Sequence, residues 1–306
     1  MTPEPQVLVP GLWGAVRRAP DAGTPRTLAR LLARGRLEPG AGRGWEAELA
    51  YRLGFRETSA GLREWLALPV TLTPGLTDLV ATPVDDLDPA HREALWFAAA
   101  PELERAGATR RTPFPGLDVL HMAGEGAWEG PAPSSVLGRP MRAPRLGSPV
   151  SQGLQVLATS VQMLWFGHPV NRERAEAGLA PAHGLLFWSP GVPREAPDAE
   201  RVAGGGLVAR WLADRASVSW CGDPLDAEAD LSVVDAFLQA AEPERTVELL
   251  QSLSEDLLRP RVERLRAGEI AGLLLHDPDA GRLRVLRGDW RRFWRRGRSL
   301  SSLGAA

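Results

Sequence analysis

The sequence predicts an α/β protein with a mostly parallel, open sheet, helices on both faces of that sheet and a small inserted α+β subdomain. Short apolar runs alternate with helical patterns along most of the 306-residue chain, as in repeated strand-helix units. Residues 185–188 are apolar throughout, which is typical of a strand buried on both faces of a parallel sheet. Between residues 65 and 124 the pattern changes to β-branched runs around Pro74 and Gly75, which predicts a separate hairpin-based subdomain.

Two elements begin the predicted core. The first residues form a short apolar run that ends at Pro10 and Gly11, and proline is typical of a strand end because it lacks the backbone donor. A loop is expected next. Thr24 and Pro25 are a suitable N-cap and first position for a helix, which ends at Gly35.

The inserted subdomain is predicted to cover residues 65–145, and the segments 1–64 and 146–306 then form the α/β core. Residues 124–149 are rich in Pro and Gly and are expected to be the linker that leaves the subdomain. The elements predicted inside it are strands at 69–73 and 78–82, a helix from Asp88 to Gly107 and a strand at 117–122.

The second part of the core continues the alternation of helices and strands. A parallel sheet binds ligands beyond the carboxyl ends of its strands, so the loops at Pro10 and Gly11, at 189–191 and at 222–223 are the expected ligand-binding region. The predicted elements are a helix at 151–166, a short charged helix ending at Gly178, a strand at 185–188, a helix at 206–214, a strand at 216–220, helices at 231–241 and 246–267, and strands at 270–275 and 283–286.

The composition excludes several kinds of chemistry. All 36 basic residues are Arg, so a Schiff-base lysine and a phosphate-loop lysine are both excluded. Cys221 is the single cysteine, which excludes an intramolecular disulfide and a cysteine zinc cluster. The net charge of −2 gives no reason to expect nucleic acid as a partner. Neither a leader peptide nor an apolar run of ~18 residues is present, so we expect a cytoplasmic protein without a membrane partner.

The C-terminal stretch 287–298 is the one strongly basic segment, with six Arg, one acidic residue and three interleaved aromatic residues. Such a basic aromatic segment can bind an anionic partner, and the alternative is a solvated end whose Trp residues dock on the body. The candidate contacts in this tail are Arg291, Arg292, Arg295 and Arg296.

A specific motif lies where the predicted helix 151–166 ends. Residues 168–171 read His-Pro-Val-Asn, Arg and Glu follow, then Gly178, and the strand 185–188 leaves through a Ser-Pro-Gly turn. This order resembles the archaeal-type cofactor-independent phosphoglycerate mutases. That family also begins with a strand, a turn and a Thr-Pro helix start, and carries a small inserted αβ domain before the motif.

A closer resemblance is to the bacterial RpfE-type regulatory proteins. They share the Gln-Met-Leu run at 162–164, the His-Pro-Val-Asn run and a terminal Arg-Phe-Trp-Arg-Arg, here residues 292–296. The resemblance implies an alkaline-phosphatase-like core and a regulatory function whose partner is a protein or a small anionic ligand.

The sequence departs from the mutases at their metal site. The resemblance implies two divalent metals that activate a Ser or Thr, with a first ligand supplied by an Asp-Gly turn after the first strand. Here that turn is Pro10-Gly11, and residues 184–275 contain no His for the later ligands. We therefore predict a degenerate metal site, no cofactor and a catalytically silent protein. The alternative is a metal-dependent mutase or phosphatase with a relocated site that holds Mg²⁺ or Mn²⁺.

Two groups of residues are candidates for a ligand site. Asp223 and Asp226, after a predicted strand, could hold a hydrated divalent metal, and the alternative is that they form a turn and a helix cap. The His-Pro-Val-Asn motif could border a ligand, and the alternative is that Pro169 fixes the turn while Asn171 caps the next helix. The candidate ligand-site residues are His168, Asn171, Ser189, Gly191, Asp223 and Asp226.

Overall fold

The computed structural model describes residues 4–18, 23–39, 44–56, 62–75, 78–123, 130–141, 149–239, 242–278 and 280–291. Its strands are β1 (Gln6–Leu8), β2 (Arg36–Pro39), β3 (Phe55–Arg56), β4 (Leu62–Pro74), β5 (Leu79–Pro83), β6 (Ala108–Phe114), β7 (Leu117–Ala123), β8 (Pro140–Met141), β9 (Gly184–Trp188), β10 (Val192–Pro193), β11 (Arg201–Gly204), β12 (Ser219–Cys221), β13 (Leu231–Val233), β14 (Gly272–Asp277) and β15 (Gly281–Leu286).

The α-helices are α1 (Leu12–Arg18), α2 (Arg26–Arg34), α3 (Trp45–Arg52), α4 (Pro89–Arg105), α5 (Pro133–Val136), α6 (Pro149–Phe166), α7 (Pro169–Glu176), α8 (Gly206–Arg215), α9 (Pro243–Ser252) and α10 (Arg259–Ala267). A π-helical segment, Leu253–Leu258, joins α9 to α10, and 3-10 helices span Asp235–Leu238 and Arg287–Arg291. Across the part of the chain that the structure describes, no helix combines the length and the apolar character that a membrane span requires.

The chain forms two compact units. Unit 1 consists of Met1–Leu53 and Pro197–Ala306, and unit 2 of Gly54–Ala196. These bounds differ from the predicted domains, because residues 54–64 and 146–196 were expected in the α/β core. They belong to unit 2 since β9 pairs with β4 and α6 packs on α4. Part of the predicted linker also forms structure, as β8 pairs with β5.

Unit 1 is built on a mostly parallel sheet. Seven strands of the described residues pair in the order β12-β11-β13-β1-β14-β15-β2. The pairs from β12 to β14 are parallel, and β15 and β2 are antiparallel additions at one edge. Because β1 lies between β13 and β14, the residues that follow β1 stand in the middle of the sheet's carboxyl edge.

One face of this sheet packs against α1, α2 and the helical segment 243–267. The strands contribute side chains such as Val7 and Leu275, and the predicted stripe of α2, which includes Leu28 and Leu31, is buried against them.

Arg261 is a buried cation in this core. Its guanidinium donates hydrogen bonds to Ser232 Oγ (2.8 Å) and to the carbonyl oxygens of Ala229 (2.9 Å) and Asp226 (3.1 Å). Burial lowers the pKa of Arg261 to about 10, so the side chain remains charged at neutral pH.

Unit 2 contains an antiparallel sheet centred on β4. The strand β4 pairs with β7 near its start, with β9 in its middle and with β5 near its end, and β6 pairs with β7. The predicted hairpin, helix and final strand of the subdomain are therefore present as β4, β5, α4 and β7. The prediction that residues 185–188 join the parallel sheet is wrong, because β9 is antiparallel to β4 in the second sheet.

Asp118 on β7 is a buried carboxylate that links three elements of unit 2. Its Oδ2 accepts hydrogen bonds from Arg92 Nη1 (2.7 Å) and Trp96 Nε1 (2.8 Å) on α4. Its Oδ1 accepts from Arg110 Nε (2.8 Å) and Thr112 Oγ1 (3.1 Å) on β6. These four donors replace the water that a carboxylate loses on burial.

Two further local predictions are wrong. The helix predicted at 231–241 is instead β13 followed by a 3-10 helix, because Leu231, Ser232 and Val233 fill the position between β11 and β1 and are all buried. The loop expected after Gly11 is α1, which begins at the next residue; Gly11 itself adopts the positive φ (78°) that turns the chain from strand to helix.

Candidate ligand site at the carboxyl edge of the parallel sheet

Open parallel sheets bind ligands at the carboxyl edge of their strands, so this edge of the unit 1 sheet is the candidate ligand site. Five parallel strands end here side by side, and a short segment follows each of them. These segments are Gly222 and Asp223 after β12, residues 204–206 at the end of β11, Val234 and Asp235 after β13, Pro10 and Gly11 after β1, and His276 and Asp277 at the end of β14.

The end of β1 is tied to the end of β14. The backbone N–H of Trp13 in the first turn of α1 donates a hydrogen bond to Asp277 Oδ2 (3.0 Å), and Asp277 is only 2% exposed. The N–H of Val9 donates to the carbonyl of His276 (2.7 Å). A carboxylate in this position accepts a hydrogen bond from a helix N–H that would otherwise be unpaired, and its negative charge interacts favourably with the positive end of the helix dipole. Asp277 thus has a structural role at the start of α1.

His276 is a buried imidazole beside an acidic group. Its Nδ1 lies 3.7 Å from Glu48 Oε1 on α3, and the same Glu48 accepts a hydrogen bond from Arg52 Nε (2.9 Å). Burial lowers the pKa of His276; the negative charge of Glu48 opposes this effect, and the positive charges of Arg52 and Arg282 add to it. We infer a neutral imidazole at neutral pH.

Asp235 follows β13 as the first residue of a 3-10 helix. Burial raises the pKa of its carboxyl group above the ordinary value, against the opposing effect of its own backbone N–H. An aspartate that is easier to protonate is a weaker anchor for a divalent cation than a fully ionised one.

Three consecutive glycines lie at this edge, and the sequence patterns did not identify them as part of it. Gly204, Gly205 and Gly206 all have positive φ (72°, 68° and 58°) and lead from β11 into α8. A Cβ at Gly204 would lie 2.2 Å from the Val233 carbonyl oxygen, so the turn requires glycine there. The signal was the triplet itself, between a short apolar run and a helical pattern.

The two predicted acidic ligands, Asp223 and Asp226, are used in local contacts. Asp223 Oδ1 accepts from the N–H of Leu225 (3.0 Å), and Asp226 Oδ1 accepts from the N–H of Glu228 (3.0 Å), as in Asx turns. Asp226 Oδ2 also accepts from Arg201 Nε (2.8 Å). Burial alone would raise the pKa of Asp226, but these hydrogen bonds lower it below its ordinary value.

The His-Pro-Val-Asn motif holds a turn together in unit 2. His168 is the N-cap of α7, and its Nδ1 accepts from the N–H of Val170 (3.2 Å). The buried Asn171 donates through Nδ2 to the carbonyls of Trp165 (2.7 Å) and Ala182 (3.0 Å), and its Oδ1 accepts from the Ala182 N–H (2.8 Å). The cap is therefore His168 rather than Asn171, and Asn171 ties the end of α6 to the segment before β9.

The loop with Ser189 and Gly191 belongs to unit 2 and not to the parallel sheet. Ser189 Oγ accepts from the Gly191 N–H (3.3 Å), and Gly191 has a positive φ of 82°. The loop joins β9 to β10, which pairs with β3. The loop was predicted to lie at the carboxyl edge of the parallel sheet. This prediction is wrong, because the loop follows a strand of the antiparallel sheet.

The predicted basic tail is described only at its start. Arg291 ends the 3-10 helix Arg287–Arg291. Arg292, Arg295 and Arg296 lie outside the described residues, and the prediction about their partner stays a prediction.

The residues at this edge do not fit the two-metal centre that the resemblance implies. Pro10 has no side-chain ligand atom, Asp277 is bound to the Trp13 N–H, and Asp226 is bound to Arg201. In the ranges that the structure describes, no three His, Cys, Asp or Glu side chains converge in a way that could hold a metal ion. We derive no catalytic step through a metal here.

Comparison with known proteins gives structural likeness alone. No protein-family model matches the chain, and no curated protein matches it. The chain is similar to the cofactor-independent phosphoglycerate mutase from Thermoplasma acidophilum, with 16% identity and a TM-score of 0.46 over 99% of this chain and 95% of that one. It is also similar to the PH0037 protein from Pyrococcus horikoshii, with 12% identity and a TM-score of 0.46 over 97% and 92% of the two chains. At this level, nothing about function rests on either likeness.

Proposed function

We propose that this protein is a non-catalytic regulatory or interaction protein built on a phosphoglycerate-mutase-like scaffold. The motif order of residues 162–191 and the terminal run 292–296, which resemble the RpfE-type regulatory proteins, support the proposal. The structural roles of the polar side chains at the carboxyl edge of the parallel sheet also support it.

The observation that carries the proposal is the end of β1. The turn there offers Pro10 where a metalloenzyme of this kind would present a carboxylate, and the neighbouring Asp277 accepts the N–H of Trp13. Phosphoryl transfer at two metals needs several anionic ligands that are free to coordinate and to neutralise the transferring group. A carboxylate that caps a helix would have to leave that contact first.

An activity assay tests the proposal. Purified protein is given 3-phosphoglycerate, or separately p-nitrophenyl phosphate, with Mg²⁺ or Mn²⁺, and product is followed against a protein-free control. We expect neither mutase nor phosphatase turnover. Metal-dependent turnover that Asp223→Asn abolishes, and that the exposed control Glu228→Gln retains, would contradict the proposal and favour the relocated metal site.

A binding measurement separates the two kinds of partner within the proposal. A ligand that binds only the folded state raises the melting temperature, and the stabilisation grows with the logarithm of the ligand concentration above its Kd. A rise with 3-phosphoglycerate in the absence of metal, without turnover, would favour a small anionic ligand. No rise would favour a protein partner.

A further inference from the structure

The outward face of α6 carries apolar side chains that are largely exposed within the part of the chain that the structure describes. Val156, Met163 and Phe166 are 67%, 76% and 73% exposed, although the opposite face of the same helix is buried in unit 2. Thr159 is also exposed and completes the row. We call these four residues the α6 stripe. Single exposed apolar residues are ordinary, but a contiguous row on one helix is typical of an interaction surface.

The spacing of the α6 stripe matches the seam of a helix pair. The positions 156, 159, 163 and 166 follow intervals of three, four and three residues, the 3-4 pattern that keeps side chains on one line along a helix that packs against another. The intervals are the same when the helix is read in the opposite direction. A second α6 in antiparallel orientation therefore presents the same positions to the first.

The side chains in that arrangement complement one another. With the two-fold axis beside residue 161, Val156 faces Phe166 of the second copy and Thr159 faces Met163 of the second copy, so a large side chain meets a smaller one in each layer. A two-fold interface requires this kind of self-complementarity.

The polar and charged groups permit burial of the stripe. Thr159 Oγ1 donates to the carbonyl of Gln155 (2.9 Å), so its hydroxyl is already satisfied inside the helix and its methyl group can be covered without an unpaired donor. Residues 149–166 include no Asp, Glu, Lys, Arg or His. Two copies therefore meet without like-charge repulsion, whereas a strongly charged partner gains nothing from this face.

We propose that the α6 stripe is the interface of a homodimer in which two copies of α6 pack antiparallel about a two-fold axis. The stripe offers on the order of 400 Å² of apolar surface per copy, given about 150–250 Å² for a large side chain that becomes fully buried. A standard interface covers ~800 Å² per partner. The dimer is therefore weak and forms at micromolar or higher concentration.

Sedimentation equilibrium of the full chain from about 1 µM to about 1 mM, which brackets the affinities of weak complexes, tests the proposal. We expect the average mass to rise from one chain to two, and Met163→Glu or Phe166→Glu to weaken the dimer at least ~10-fold. The control Phe97→Glu places the same charge at an 84% exposed apolar position of α4, outside the α6 stripe, and should leave the dimer intact. Circular dichroism confirms that each variant is folded. A wild-type chain that stays monomeric at ~1 mM, or a dimer that both stripe variants retain, overturns the proposal.

Disulfide cross-linking tests the antiparallel register. In a Cys221→Ser background, mild oxidation of a mixture of Thr159→Cys and Met163→Cys chains should give a cross-linked dimer. Either variant alone should cross-link poorly, because like positions are about 6 Å apart along the helix axis at 1.5 Å per residue. Efficient cross-linking of each variant alone contradicts the antiparallel pair. Absence of cross-linking in the mixture and in both single variants also contradicts it, and would instead favour a different protein as the occupant of the stripe.

Discussion

Replacing Asp118 by Asn is the sharpest test of the buried polar network in unit 2. The substitution keeps the size of the side chain but removes the negative charge that faces Arg92 (2.7 Å) and Arg110 (2.8 Å). An amide N–H₂ group also points a donor at groups that are themselves donors. The buried guanidinium of Arg92 and the partly buried guanidinium of Arg110 then lose this ionic partner, although Arg110 retains Glu93.

The expected cost follows from the burial. Removing one partner of a buried ion pair typically costs about 3–5 kcal/mol, because an uncompensated charge remains. In a domain of this size, 1 kcal/mol lowers the melting temperature by roughly 2–4 °C, so we expect a decrease of roughly 10 °C. Differential scanning calorimetry and urea unfolding measure it.

The matched control is Glu93→Gln. Glu93 also binds Arg110, at 2.6 and 2.9 Å, but its side chain is 65% exposed. An exposed ion pair contributes about 0–1 kcal/mol, so the control should lose no more than a few degrees. If Asp118→Asn is within about 1 kcal/mol of the wild type, or if Glu93→Gln costs as much, the reasoning about the network is refuted.

Four further predictions concern single side chains. Burial depresses the pKa of His276 in the folded state, so the stability that depends on a neutral imidazole is present above the unfolded pKa of about 6.5 and is lost as pH falls. The free energy of unfolding of His276→Gln, measured in urea, should therefore change less between pH 7 and pH 5 than that of the wild type. Because burial raises the pKa of Asp235, ionisation disfavours the folded state at neutral pH; Asp235→Asn should raise the melting temperature at pH 7 and lose this advantage near pH 4. Asn171→Ala removes three buried hydrogen bonds and should cost roughly 2–4 kcal/mol in urea unfolding, whereas an unchanged midpoint would deny its structural role. Gly205→Ala places a Cβ 2.6 Å from the Cβ of Ala209 at a positive φ and should cost about 1–3 kcal/mol, measured by thermal unfolding against Gly288→Ala, whose Cβ meets open space.

The sequence predicted those elements whose signals are local. Asp88 and Pro89 mark the start of α4 because the cap is formed by a side chain next to the helix, and Asp88 Oδ1 accepts the N–H groups of Ala90 and His91. The apolar face of α6 opposite the stripe also follows directly from its period.

Other features depend on partners far away in the chain. The run at 185–188 has the composition of a buried strand in either sheet, and only its pairing with β4 assigns it to unit 2. The strand β13 is three residues long, too short for a periodic signal, and it forms because β1 and β11 flank it.

The candidate site shows the same limit. The Asx turns at Asp223 and Asp226 were among the alternatives, since such turns depend on residues two positions away. The cap that Asp277 provides for α1 joins residues 264 positions apart, and no spacing in the sequence indicates it. The glycine triplet at 204–206 was visible but has meaning only once β11 is known to precede it.

We expect the acidic and imidazole groups at the carboxyl edge of the parallel sheet to serve the fold and not to bind a metal ion. Titration of the wild-type protein with Mn²⁺, with free Mn²⁺ measured by electron paramagnetic resonance, tests this expectation most directly. We predict no saturable binding up to ~1 mM, the weak limit of protein sites for divalent cations, and a lower melting temperature for Asp277→Asn whether or not Mn²⁺ is present. Stoichiometric binding of Mn²⁺ that Asp277→Asn abolishes would contradict the claim.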